Sequence, residues 1–275
     1  MTQAEAPGEA STVEQVETSA EKLFQSERQH RIAELTLAEG RVDVAGLALR
    51  FRVTPETIRR DLSHLQTHRI VRRVHGGAIA WETTGFEPLL SVREDRYDTE
   101  KRRLAARAIE ELPDDGTVLI DSGSTLTRFS EAIEPPQDLR FVSNSLVIAQ
   151  ELAKSEPVEV VVIGGTLQTN TLAMVDSDAI AMVERLTVDT LFISSDSASP
   201  EVGLTTPYRE EAALKRAMIR SARRVVALID YSKFGLDHFA RFARWSDIDM
   251  LITNTELDPA TVAQIRGLDT EVITT

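Results

Sequence analysis

The chain has 275 residues, 42% hydrophobic and 27% charged, with a formal charge of −13 and no cysteine. That composition suits a folded globular protein of about two domains, with enough chain to bury a core unaided by metal or crosslink. It excludes disulfides, thiolate zinc sites, iron–sulfur clusters and cysteine catalysis, and no apolar run approaches the ~18 residues that cross a bilayer.

The first 25 residues carry five Glu and one Lys and few bulky apolar side chains. They read as a flexible acidic extension, neither a signal peptide nor a basic presequence. With no cysteine to protect, a cytoplasmic protein is expected. Residues 26–80 reverse the sign. They hold ten Arg against six Asp and Glu, a surplus of +4, so a compact basic segment precedes an acidic body.

Three helices are expected in that segment. Ile32, Leu35 and Leu37 mark the first, over about 26–38, ending near Gly40. Val44, Leu47, Ala48 and Phe51 mark the second. The third runs over about 55–67, with Thr54 as N-cap, Pro55 at the first helical position and a buried stripe of Ile58, Leu62 and Leu65. Two short strands around Gly76-Gly77 follow. Three helices and a hairpin make a winged helix-turn-helix. With the stripe facing inward, Thr54, Pro55, Glu56, Thr57, Arg59, Arg60 and Ser63 are left for the major groove of double-stranded DNA, where Arg reads guanine. Arg72, Arg73 and His75 on the hairpin are expected to hold flanking phosphates or the minor groove, the Gly-Gly turn permitting close backbone approach. A small helical module that binds protein is the alternative. No clustering of His, Asp and Glu suggests a metal site.

Residues 81–97 show no clear period, and 81–100 are expected to be a linker. Beyond it, apolar runs at 117–120, 139–142, 158–163, 190–193, 224–229, 250–253 and 271–273 alternate with amphipathic stretches. The pattern predicts a mainly parallel α/β domain over 101–275. Ligands in such sheets bind beyond the strands' carboxyl ends. Those positions hold Asp121, Ser122, Gly123, Ser124 and Thr125; Ser143 and Asn144; Gly164 and Gly165; and Lys233. Hydroxyls and glycine at a helix start, with a lysine on the same rim, suit a phosphate or polyol. An aldose–ketose isomerase is the enzyme alternative, with Asp121, Glu210 and Lys233 castable as base and electrophile, although their spacing does not require it.

The elements VTPETIRRDL (53–62) and RRVHGGA (72–78) resemble the DeoR family of bacterial transcription regulators. So do DSGST (121–125), SNSL (143–146), VVIGGTL (161–167), the run 203–219 and DYSKFG (230–235), and the likeness spans roughly 27–255. It implies operator binding through the 54–63 helix. It also implies a sensor domain akin to ribose-5-phosphate isomerases, binding a phosphorylated sugar among the strand-end residues above. Arg93 and Lys101 match basic positions the family often has, which brings Lys101 into the expected site. The chain departs from the family at Arg69, Asp176 and Ser197, where glycine is usual, and Asp176 threatens to place a carboxylate beside a phosphate pocket. The resemblance implies a repressor of sugar-metabolism genes, non-enzymatic, without a cofactor beyond its phosphosugar effector, away from membranes, and a homo-oligomer because paired half-sites need paired readers. The 81–100 linker is the expected lever between sensor and reader.

Overall fold

The computed structural model describes residues 25–67, 70–80, 90–134, 138–154 and 158–275. The extension before Gln25, and Arg69 among the family departures, lie outside them.

The basic segment folds as α1 (Gln25–Glu39), β1 (Arg41–Asp43), α2 (Val44–Phe51), α3 (Pro55–Thr67), β2 (Val71–Val74) and β3 (Gly77–Ala80). The three helices and the hairpin match the spacing argument. The three-residue strand β1 was missed, too short for any period to show. It pairs antiparallel with β3, so the wing is a sheet in the order β1-β3-β2. Asp43 ends β1 and caps α2, accepting from the Gly46 amide at 2.8 Å. Arg52 ends α2 in the left-handed region at φ 52°, a conformation that costs a non-glycine residue on the order of 1 kcal/mol. Thr54 caps α3 by accepting from the Thr57 amide at 3.2 Å.

Ile58, Leu62 and Leu65 are buried with Ile32, Val42, Leu47, Val71 and Ala78. Asp61 is buried on the same face of α3. Its carboxylate accepts from Arg28 Nε at 2.6 Å and from Gln29 Nε2 at 2.9 Å, which ties α3 to α1. The two wing glycines have different tasks. Gly76 turns the chain at φ +79°, with open space where a side chain would stand, whereas a Cβ on Gly77 would lie 2.0 Å from the Val42 carbonyl oxygen. The close backbone approach expected toward DNA is, at Gly77, an approach to β1.

The remaining chain gives α4 (Leu90–Asp95), α5 (Asp98–Ile109), β4 (Gly116–Ile120), α6 (Ser124–Ala132), β5 (Leu139–Ser143), α7 (Leu146–Leu152), β6 (Glu159–Val162), β7 (Thr166–Gln168), β8 (Ala173–Val175), α8 (Ser177–Val183), β9 (Val188–Ile193), β10 (Ser197–Ser199), β11 (Gly203–Thr206), α9 (Arg209–Ser221), β12 (Ala222–Leu228), β13 (Ala240–Ala243), β14 (Met250–Thr253), α10 (Pro259–Arg266) and β15 (Glu271–Thr274). All seven apolar runs became strands of one parallel sheet, ordered β15-β14-β12-β9-β4-β5-β6. Its residues alternate between two cores. Leu119, Leu191 and Ala227 pack with Ala179, Leu214, Met218 and Ile265 on one face. Val118, Ile120, Phe192 and Val226 pack with Leu104, Phe129 and Ile148 on the other. Burial on both faces is why these strands read as unbroken apolar runs.

Two small elements escaped the sequence: the β7–β8 hairpin and the antiparallel sheet β10-β11-β13. Part of the segment without a clear period is helical, because α4 is anchored from outside itself. The Leu90 amide donates to the Asn170 carbonyl at 2.7 Å, and Leu90 is buried.

The wing makes a graded prediction. Gly77→Ala forces backbone apart and should cost about 1–3 kcal/mol, whereas Gly76→Ala pays only the left-handed strain of about 1–2 kcal/mol. Chemical denaturation followed by circular dichroism should rank Gly77→Ala as the less stable; the reverse order would refute the packing role.

Candidate functional site

All ten residues expected to meet DNA lie on α3, its cap, or the adjoining wing. Thr54, Pro55, Glu56, Arg59, Arg60, Ser63, Arg72, Arg73 and His75 are exposed, and Thr57 is half-buried. Several already have partners. Arg59 pairs with Glu56 at 3.3 Å, both well exposed, a contact too solvated to hold the side chain firmly. Ser63 Oγ donates to the Arg59 carbonyl at 2.7 Å and accepts from Arg73 Nη1 at 3.1 Å. The Arg73 amide donates to Gln66 Oε1 at 3.2 Å. Arg73 therefore straps the wing to α3. Among the described residues, Arg60 and Arg72 have no hydrogen bond or ion pair, so their guanidiniums are free for a ligand.

The sheet order defines a second site. From β4 the chain proceeds outward through β5 and β6, then returns to β9 on β4's other side and proceeds outward through β12, β14 and β15. The switch between β4 and β9 opens a crevice at their carboxyl ends. Arg93, Ser122, Gly123, Ser124, Thr125, Thr171, Ser194, Ser195, Asp196, Glu211, Lys215 and Lys233 line a pocket there. One wall is the start of α6. Gly123 occupies its N-cap position at φ 124°, with no side-chain hydrogen bond to the helix. The first-turn amides thus have no side-chain cap and carry the positive end of the helix dipole.

The opposite wall is a charge cluster. The Lys215 ammonium, 3% exposed, bonds directly to Asp121 Oδ2, donates to the Ser194 carbonyl at 3.1 Å and lies 3.5 Å from Glu211 Oε1. Glu211 also accepts from Thr206 Oγ1 at 2.9 Å. Burial and the neighbouring Asp196 raise the Glu211 carboxyl to about 7 against the pull of Lys215. For Lys215 the order reverses: burial works to lower its pKa, but Asp121 and then Glu211 outweigh it and hold the ammonium charged. Asp196 is likewise penalised by burial, yet Arg93, 3.7 Å away, with Lys215 and Lys233 keeps it ionised. One Asp196 oxygen, Oδ2, is buried without a hydrogen bond. Among the described residues the Lys233 ammonium has no partner.

The expected strand-end residues divide into two groups. Ser122, Gly123, Ser124, Thr125 and Lys233 line the pocket, and Asp121 stands behind it on Lys215. Ser143, Asn144, Gly164 and Gly165 are outside the lining. They follow β5 and β6, which lie away from the switch. Ser143 Oγ accepts from the Ser145 amide, Asn144 Nδ2 donates to the Met174 carbonyl, and Gly165 packs against Asp176 and Ala179. Lys101 is buried and also outside the lining. Its ammonium bonds to the Arg93 and Arg96 carbonyls, and burial lowers it to about 7 against the opposing pull of Asp230.

Glu210 faces solvent, whereas its neighbour Glu211 is buried in the cluster. Sequence reasoning also missed Asp196 and Lys215. A signal existed: Glu211, Lys215 and Met218 fall at i, i+4 and i+7, placing two charges on the buried face of α9. Two family departures find structural roles. Asp176 caps α8 by accepting from the Asp178 and Ala179 amides, each at 2.9 Å, and holds the Thr166 amide at 2.7 Å. The bond from Ala179 and that from the Thr166 hydroxyl hold its carboxyl below the usual range. It does not line the pocket, so the feared repulsion does not arise. Ser197 Oγ donates to the Lys233 carbonyl at 3.2 Å, fastening the turn that carries Lys233. Among the described residues no group of His, Asp and Glu is placed to hold a metal ion, and no helix is long and apolar enough to cross a membrane.

Two family matches cover most of the chain: the DeoR-like helix-turn-helix domain over residues 28–84 and the DeoR C-terminal sensor domain over 97–255. The chain is 34% identical over 251 residues to the HTH-type transcriptional regulator GlpR of Haloferax volcanii, covering 91% of this chain and 98% of that protein. It is 28% identical to the glycerol-3-phosphate regulon repressor of Escherichia coli, covering 88% and 96%. A solved structure it resembles is ribose 5-phosphate isomerase A from Neisseria gonorrhoeae, at a TM-score of 0.37 and 19% identity over 49% of this chain and 52% of that one, a likeness too slight to carry weight. A basic winged reader, a sensor fold and full-length kinship to named regulators place this chain in the DeoR family of transcription regulators, and set aside the isomerase alternative.

Proposed function

We propose that this protein represses sugar-metabolism genes by binding operator DNA through α3, and that a phosphorylated sugar in the switch-point pocket controls that binding. The observation that carries the effector reading is the pocket's polarity. The pocket brings together the uncapped first turn of α6, the Ser122, Ser124 and Thr125 hydroxyls and the Lys233 ammonium. These suit a phosphate dianion. It also holds Asp196, with an unbonded carboxylate oxygen, and Glu211. Carboxylates of this kind accept hydrogen bonds from hydroxyls. A ligand with an anionic head and a polyol body satisfies both. Relatives named for the glycerol-3-phosphate regulon and the aga operon support the same class.

Asp121, Ser143, Asn144, Gly164 and Gly165 then act behind the pocket, holding its walls, while Lys101 acts on α4 and not on the ligand. On the reader, Arg60 contacts bases and Arg72 a phosphate, Arg59 joins once Glu56 yields, and Arg73 and Ser63 brace the wing. The protein works in the cytoplasm as a dimer or higher homo-oligomer, since operators present half-sites in pairs. The reader is taken as 26–80, and the sensor as reaching before 101, since Arg93 lines the pocket and α5 begins at Asp98.

Arg60→Ala should weaken specific operator binding roughly ten- to hundred-fold, the ~1–3 kcal/mol of one base contact, in fluorescence anisotropy at fixed salt. Arg72→Ala should lower affinity for all sequences alike and reduce the salt slope by about one. Unchanged affinity in both Arg59→Ala and Arg60→Ala would remove α3 as the reader.

Phosphorylated sugars and polyols, screened by thermal shift, should include a compound that stabilises the protein and alters operator retention. Lys233→Met should weaken that compound about ten-fold or more, the ~1.5–3 kcal/mol of a charged hydrogen bond, while leaving DNA binding intact. If none of the compounds stabilises the wild type, the effector reading is lost.

A further inference from the structure

The short helix α4 stands between the two sites along the chain. The wing ends at Ala80, residues 81–89 follow, and α4 begins at Leu90. Three attachments of α4 lead to walls of the pocket. Its first amide, that of Leu90, donates to the carbonyl of Asn170, whose neighbour Thr171 lines the pocket. Its middle residue, Arg93, enters the pocket and faces Asp196 at 3.7 Å. The Glu94 carbonyl accepts from Arg128 at 3.4 Å, and Arg128 belongs to α6, whose first turn is the anion wall.

The carboxyl end of α4 is held by Lys101 as well as by Arg128. Lys101, 2% exposed, reaches back from α5 and donates to the carbonyls of Arg93 and Arg96. A cation there satisfies carbonyls a helix end leaves orphaned and complements its dipole. Among the described residues no carboxylate lies within ion-pair distance of it. Asp230 is the opposing charge that acts on it most, itself fully buried with one oxygen unbonded. The same junction also touches the other cationic wall, because the Tyr97 ring meets Tyr231 edge-on at 5.6 Å in the turn that carries Lys233.

We propose that α4 is the relay from pocket to reader, with Arg93 its contact to the effector and Lys101 the positioning residue that makes α4 move as one piece. The proposal rests on the effector reading above. An anionic ligand competes with Asp196 for Arg93. The pair stands at 3.7 Å, longer than a hydrogen bond, and an anion that takes the place of Asp196 draws the guanidinium with it. Lys101 clamps the carbonyl of that same Arg93, so the shift of the side chain becomes a shift of the helix and acts on the segment that begins at its first residue. Since coupling is reciprocal, DNA on the reader must also alter α4.

The test compares full-length wild type, Lys101→Met and Lys101→Arg. Each is titrated with labelled operator alone and with glycerol 3-phosphate, fructose 1-phosphate or inorganic phosphate, and thermal shift with the same three compounds reports binding. Wild type should show an operator response of about ten-fold or more. Lys101→Met should keep the thermal shift and the ligand-free operator affinity but lose the response. Lys101→Arg, which retains charge and donors, should recover part of it. A Lys101→Met protein that responds like wild type overturns the relay. Loss of thermal shift together with response also overturns it, by placing Lys101 in the binding site itself. A second arm needs neither effector nor variant. Amide hydrogen exchange over residues 90–100 is followed in wild type with and without operator. Protection should change on DNA binding, and unchanged exchange there overturns the relay. If no compound stabilises wild type while DNA still alters that exchange, the effector reading fails and Arg93 loses its role, while the coupling of α4 to the reader stands.

Discussion

The buried ammonium of Lys215 is the interaction on which the sensor domain depends. Asp121 follows β4, Glu211 lies on α9, and both are almost fully shielded from water. Two carboxylates in such a place repel each other, and each loses its hydration. Lys215 bonds to the first, approaches the second and takes the carbonyl that follows β9, so one cation joins two adjacent strands to the helix covering them. Removing it would leave uncompensated buried charge, the situation that costs a fold most. It also sets the pocket's chemistry, because its carboxylate neighbours are no longer free to repel an anion as they otherwise would.

The reader follows the same logic on a smaller scale. Its core is one cluster of short apolar side chains, and α3 is fixed within it by Asp61 against Arg28 and Gln29 on α1. The arginines on the opposite side are thereby left outward. The chain carries −13 overall, yet 26–80 carry a surplus of positive charge. Operator affinity must therefore come from one small basic face, and it should fall steeply with salt.

The residues that break the family pattern show how a carboxylate's effect depends on what it bonds. Asp176 looked like a charge placed against the ligand. Its two oxygens are instead consumed by the amides of Asp178, Ala179 and Thr166 and by the Thr166 hydroxyl. An N-cap carboxylate is stabilised where it stands, and it has no part in the pocket's lining. Ser197 brings a hydroxyl that glycine lacks, and uses it to hold the turn behind Lys233.

The sequence by itself determined the modules and most of their elements. Local signals suffice for α3, where Thr54 and Pro55 mark the start and Ile58, Leu62 and Leu65 the buried face, and for the seven strands, whose burial on both faces leaves unbroken apolar runs. Part of the pocket was legible for the same reason: Ser122 to Thr125 and Lys233 follow such runs. Only the tertiary structure decided the rest. Strand order is not written in any local period, so nothing in the chain told that the ends of β4 and β9 would meet while those of β5 and β6 would stand aside with Ser143, Asn144, Gly164 and Gly165. Elements of three residues, β1, β7, β8 and β10, are too short to show a period. The roles of Glu211 and Lys215 on α9, Asp196 after β9 and Lys101 under α4 arise from partners distant in the chain, and a side chain's charge acts through space, along contacts that exist only once the sheet has closed.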